Sequence, residues 1–193
     1  IERNLYWYQL ISHRHNGMVK VITRIRRSRK SYLLSKLFKK YLKDEGVDDE
    51  HIIEMAFDDF GNREYRNPEV FYNYVKRCIN DGRMYYLLLD EVQLLDSFVD
   101  VLNGFLYMKN VDVYVTGSNA RFLSKDIVTE FRGRGDQIHV FPLNFSEFMT
   151  AYQGGKEDGW AAYLRYGGLP PVVLQPMDED REKLLHSLMD ETY

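Results

Sequence analysis

Short apolar runs alternate with longer amphipathic stretches along most of this chain. Five runs are rich in β-branched and aromatic residues: Met18–Thr23 (MVKVIT), His51–Phe57 (HIIEMAF), Tyr85–Leu89, Asp112–Thr116 (DVYVT) and Ile138–Phe141. Each predicts a strand. The Tyr85–Leu89 run has no polar break, the mark of a central strand buried on both faces. Between the runs, apolar residues recur at helical spacing over 2–13, about 31–45, about 68–80 and about 98–108. Asn67 stands as a cap before Pro68, the proline sitting at a first helical turn. His15-Asn16-Gly17 reads as a turn. Strand and helix in strict alternation predict right-handed crossovers and a parallel sheet covered on both faces. Near Tyr166 the stretch GGLPP breaks the pattern, and MDEDREKLLHSLMDE beyond it predicts one more helix.

Composition sets bounds on this picture. The chain has 193 residues, 45% hydrophobic, 28% charged and 15% aromatic, the profile of an ordinary globular protein and not of a disordered, collagen-like or coiled-coil chain. The longest apolar run is MYYLLL, far short of the roughly 20 residues a membrane span needs. A lone cysteine, Cys78, excludes an internal disulfide and offers no metal pair. A cytoplasmic location without membrane contact is therefore expected. The chain opens on Ile1 and stops inside a helical pattern, as a fragment would.

Net charge is only −3, but its distribution is uneven. Residues 1–43 carry twelve Lys/Arg and one acid, Glu2, while the rest of the chain is strongly acidic. Such asymmetry suits a face that meets an anion. Lys36, Lys39, Lys40 and Lys43 fit a solvated helix face. The cluster Arg24, Ile25, Arg26, Arg27, Ser28, Arg29, Lys30, Ser31 does not. It lies between a strand and a helix, where a phosphate-binding loop of pattern GxxxxGK[ST] would sit. Lys30 and Ser31 occupy the places of the phosphate-binding lysine and the magnesium-ligating hydroxyl. Both glycine places are arginine, Arg24 and Arg29. On this segment alone, a basic turn explains the sequence better.

A second element changes the balance. YYLLLDE, Tyr85–Glu91, is an apolar strand that ends in two acids. Asp90 would hold the water shell of a magnesium ion and Glu91 would polarise an attacking water, at the carboxyl end of a strand where α/β ligands bind. The third element, VDVYVTGSNARFLS, ends its strand in Thr-Gly-Ser-Asn and brings Asn119 to where it would orient that water. The fourth is EFRGRGDQIHVFPLNFSEF. Arg132 or Arg134, just before the fifth strand, would serve as an arginine finger for a neighbouring subunit, and Arg134 counts among the catalytic candidates. Two exposed arginines on a glycine-flexible loop explain that stretch equally well. His13 and His15 suit no metal site and read as surface residues. Cys78 reads as a small core residue. Tyr6, Trp7 and Tyr8 read as packing of the first helix.

Taken together, ITxIRRSxKSYLL, YYLLLDEVQ, VYVTGSNA, FRGRG, FPLNFSEF and YGGLPP, over about residues 4–175, resemble the prokaryotic AAA-type P-loop ATPases whose ATPase domain precedes a poorly characterised C-terminal domain. The resemblance implies a three-layer sandwich around a five-stranded sheet of order 5-1-4-3-2, with ATP and magnesium as cofactors and hydrolysis as the reaction. It also implies a P-loop domain over 1–166, with 167–193 as the start of a lid or C-terminal region. The chain departs from the family where Arg24 and Arg29 replace glycine. A side chain before Lys30 projects into the phosphate cradle, and a left-handed backbone there costs a non-glycine residue roughly 1–2 kcal/mol. The expectation is an ATPase domain able to form oligomers and with an unknown protein partner, whose nucleotide binding is weakened or lost. A non-hydrolysing P-loop-fold interaction protein is the alternative. A nucleic-acid binder using the basic loop ranks below both, since five clustered cations make a small footprint without a base-reading element.

Overall fold

The alternating pattern closes into one sheet. The computed structural model describes residues 4–24, 32–117, 131 and 133–190. Helix α1 (Asn4–Ser12) leads into β1 (Val19–Arg24). A π-helical segment (Tyr32–Phe38) runs straight into α2 (Lys39–Asp44). Then come β2 (Ile52–Ala56), α3 (Pro68–Cys78), β3 (Tyr85–Asp90), α4 (Phe98–Phe105), β4 (Val111–Thr116) and β5 (Gly135–Val140). All four pairings are parallel and the order is β2-β3-β4-β1-β5. Read from the other edge this is 5-1-4-3-2, as expected, in an α/β three-layer sandwich.

Strand alternation decides what each layer buries. Val19, Val21, Leu87, Leu89, Val113 and Val115 point to one face, where Phe71 and Val75 of α3 and Val101, Leu102 and Phe105 of α4 complete a core. Edge-on aromatic contacts tie that layer together: Phe57 to Phe71 at 5.1 Å and Phe71 to Phe105 at 5.8 Å between ring centroids. Ile22, Leu88, Tyr114 and Ile138 point the other way, against Leu10 of α1 and the fourfold-spaced Leu34, Phe38 and Leu42. Fully burying one such side chain contributes about 1.5–3 kcal/mol. Asn67 caps α3, its side chain accepting from the Glu69 and Val70 amides, with Pro68 in the first turn.

Several expectations shift. The helix expected from Ser31 is π-wound over its seven residues Tyr32–Phe38, a rare conformation that is frequent at functional sites. Helix α4 stops at Phe105, three residues early, because Leu106, Tyr107 and Met108 close turns back onto Leu102, Gly104 and Phe105. Strand β5 starts at Gly135 instead of Ile138, its half-buried first residues pairing with β1 although their side chains lack the apolar pattern. Tyr8 is exposed, not packed; the side chains of Tyr6 and Trp7 lie outside what is described. His15 and His13 lie at the surface but are engaged. His15 Nε2 is 2.8 Å from the Tyr86 hydroxyl, and His13 Nδ1 is 2.8 Å from Asp136. Cys78 packs half-buried against the first core.

One buried polar network was invisible in the apolar run MVKVIT. Lys20 is fully buried and donates to Asp112 on β4, to the Met18 carbonyl (3.0 Å) and to Asn16 Oδ1 (3.2 Å). The other Asp112 oxygen accepts from the Tyr114 hydroxyl (3.0 Å) and the His15 amide (3.1 Å). Burial pushes the Lys20 ammonium below its ordinary range and the Tyr114 phenol far above its own.

Residues 141–190 belong to a second unit with its own small core of Leu143, Phe148 and Val173, joined by Phe145, Tyr152 and Tyr163. Its helices are α5 (Phe145–Met149), α6 (Lys156–Tyr166), α7 (Pro170–Val173) and α8 (Asp178–Asp190). The PLNFSEF stretch has a local reason. Asn144 accepts from the Glu147 amide while the Glu147 carboxylate accepts from the Asn144 amide, both at 2.9 Å, a reciprocal cap. In YGGLPP, Gly167 adopts φ +69°, and a Cβ on Gly168 would lie 2.0 Å from the Leu143 carbonyl oxygen. The prolines do not end structure there; they open α7. Among the described residues no helix is long and apolar enough to cross a membrane.

Candidate functional site

The carboxyl ends of β1, β3 and β4 meet in one row across the sheet. Ala56 pairs with Asp90, Leu89 pairs with Val115, and Ile22 pairs with Thr116 and with Ile138. Asp90 therefore lies level with Thr116, and β1 ends two residues beyond that level. Neighbouring strands are about 4.8 Å apart, so the exit of β1 lies about 10 Å across the sheet from the acidic strand. Alternation turns Asp90 and Thr116 to the same face as Leu88 and Tyr114, the face covered by the helical segment that follows β1. A cleft of about 70 Å³ opens there, lined by Leu34, Ser35, Glu54, Met55, Ala56, Leu88 and Asp90.

Hydrogen bonds fix the acidic strand end. The buried Thr116 hydroxyl donates to Asp90 Oδ1 and accepts from the Glu91 amide at 3.3 Å. Glu91 adopts a left-handed backbone, φ 51° and ψ 45°, a conformation that costs a non-glycine residue roughly 1 kcal/mol or more. Strain of this kind concentrates at functional sites. The turn sends the Glu91 side chain away from the strand's alternation, and Gln93 Nε2 donates to its carboxylate. Asp90 and Glu91 are both half-buried. The Asp90 carboxylate is a hard oxygen donor of the kind that suits magnesium.

The sequence-predicted residues divide into three groups. Asp90 and Glu91 come together at the expected strand end. Arg24 is the last residue of β1, opposite Val140 of β5; Ile25, Arg26, Arg27, Ser28, Arg29, Lys30, Ser31, Asn119 and Arg132 lie outside the described residues. Arg134 precedes β5 at the opposite end of the sheet from Asp90, a strand length or roughly 20 Å away. Its guanidinium rests 5.3 Å from the Tyr107 ring centroid and its carbonyl accepts from the Val19 amide. It does not join the acids of its own chain. Thr116, Gln93, Ser35 and Glu54 were missed by the sequence reading. Only Thr116 carried a signal, as a hydroxyl ending the strand beside the acidic one.

A second convergence of donors is already neutralised. Asp48, Glu50 and His51 bring ligand atoms within 4.8 Å of one another. Arg83 bridges them, 2.8 Å from Asp48, 3.4 Å from Glu50 and 2.8 Å from Asp81. It holds the Asp81 carboxyl far below the carboxylate range. The guanidinium supplies the positive charge that a metal would bring.

Comparison with known proteins agrees with this architecture. The sequence model of the AAA domain family matches residues 16–149. An uncharacterized protein of Haemophilus influenzae is 30% identical over 198 residues, covering 98% of this chain and 48% of its own length. An uncharacterized protein of Methanocaldococcus jannaschii is 26% identical over 191 residues, covering 89% of this chain and 40% of its own length. The chain thus spans about half the length of the curated relatives it matches. Among solved structures, a DNA polymerase III gamma subunit-related protein from Thermotoga maritima superposes with a TM-score of 0.55 at 12% identity, over 90% of this chain and 56% of that one. That likeness concerns the fold. With more than half its length matched by the family model, and with strand order and acidic strand end as found, the chain belongs to the AAA domain family of P-loop ATPase domains.

Proposed function

We propose that this domain is built to bind ATP with magnesium at the carboxyl ends of β1 and β3 and to hydrolyse it, and that Arg24 and Arg29 impair the binding. The supporting observation is the acidic end of β3: Asp90 and Glu91 held by Thr116, on the face where the chain returns from the basic loop. Magnesium, when bound, neutralises charge on the phosphate oxygens. Asp90 would hold the ion through its water shell, with Ser31 as the second oxygen ligand. Lys30 would contact the β- and γ-phosphates. Glu91, turned out of the strand by its left-handed backbone, would accept the proton of an attacking water, which Asn119 would orient. Arginine at both places removes the glycines that let backbone amides wrap a phosphate, and would set its own cation where the phosphate charge belongs. Arg134 acts within this reading only by reaching a neighbouring subunit.

The test separates holding from hydrolysis. In a background with Arg24→Gly and Arg29→Gly, Glu91→Gln should leave Mg-ATP affinity within about threefold while turnover falls by roughly 10²-fold or more. Asp90→Asn in the same background should weaken binding in magnesium and change it little in EDTA. Full turnover in the Glu91→Gln variant contradicts the assignment of the base.

A further inference from the structure

We propose that Thr116 is the positioning residue for both acids of this site. The proposal rests on the nucleotide reading for its catalytic consequence, while its geometry stands apart from that reading.

A single hydroxyl touches both residues by different atoms. It donates to the Asp90 carboxylate, a side-chain contact, and accepts from the Glu91 amide, a main-chain contact. The first sets the rotamer of the carboxylate assigned to magnesium. The second anchors the peptide at which the chain leaves the strand for the left-handed turn, and so aims the Glu91 side chain. Both contacts cross from β4 to β3, so the strand pairing itself holds the acids in place. Thr116 is fully buried and β-branched, which leaves its hydroxyl little rotational freedom. The hydroxyl uses its one proton and a lone pair at the same time, so rotation of χ1 breaks both bonds together. The neighbouring Gly117-Ser118-Asn119 therefore follows a strand end that already engages the acids. Supporting contacts of this kind typically change activity or metal affinity by roughly 10–100-fold when removed.

Thr116→Val keeps the branched shape and loses the hydroxyl; Thr116→Ser keeps the hydroxyl and loses a methyl. In the background with Arg24→Gly and Arg29→Gly, steady-state ATP turnover is measured for both. The proposal expects Thr116→Val to lower kcat roughly 10–100-fold with KM changed less than about threefold, and Thr116→Ser to recover most of the loss. In the natural chain, NMR hydrogen exchange of the Glu91 amide should quicken roughly fivefold in Thr116→Val and stay near the parent value in Thr116→Ser. Background-level turnover in Thr116→Val overturns the proposal, and so does a loss that serine fails to recover, which would mark a packing role. If the background itself shows no turnover, the nucleotide reading fails and the amide decides. Unchanged Glu91 exchange in Thr116→Val then overturns the positioning role; accelerated exchange with serine rescue sustains it.

Discussion

Glu91 carries the greatest local tension in the described site. Its backbone sits at φ 51°, in a region that a side chain reaches only at a cost and glycine reaches freely. The contacts that hold it there include the Thr116 hydroxyl on its amide and Gln93 on its carboxylate. A glycine at this position should therefore fare better than alanine, the reverse of the usual ranking in ordered structure. Urea unfolding of Glu91→Gly and Glu91→Ala should place the glycine variant about 1 kcal/mol above the alanine variant. Equal stabilities, or a more stable alanine variant, would mean that the turn relaxes once the carboxylate is gone. The acids themselves were legible because an apolar run ended in them. The strain was not, since a backbone angle is set by the turn into the following 3₁₀ segment (Val92–Leu94), and by a threonine 25 residues away.

Among the elements, the strands were easier to read than the helices that cover them. Runs such as Tyr85–Leu89 are apolar on both faces because β3 lies between β2 and β4 with a helical layer on either side. Strand order followed from the family resemblance, not from the pattern. The lysine inside MVKVIT, which the strand pattern leaves unexplained, is a fully buried tie between β1 and β4. Pattern alone cannot show this, because the partner, Asp112, is 92 residues away. The tie makes a distinct prediction. Lys20→Met leaves the Asp112 carboxylate buried without a cation and should cost about 3–5 kcal/mol in urea unfolding. Adding Asp112→Asn removes the orphaned charge, and the double variant should recover a substantial part of that loss. A double variant no more stable than Lys20→Met alone would show that the network acts through its hydrogen bonds and not through charge pairing.

At the scale of the whole molecule, the acidic end of β3 and the end of β1, after which the basic stretch of the sequence follows, lie two strands apart in one sheet. The acids there are Asp90 and Glu91, and β1 delivers the basic loop from two strands away. The central claim is that this site fails, where it fails, through two side chains in its loop. Calorimetric titration of Mg-ATP into the chain as it stands, and into the variant with Arg24→Gly and Arg29→Gly, tests it most directly. The variant re-creates GIRRSGKS, and no other repair is needed if Lys30, Ser31, Asp90 and Glu91 have the roles assigned. Detectable binding in the variant, at least about tenfold tighter than in the parent, is the predicted result. Binding by the parent as tight as by the variant would contradict it, and would place the two guanidinium groups outside the cradle.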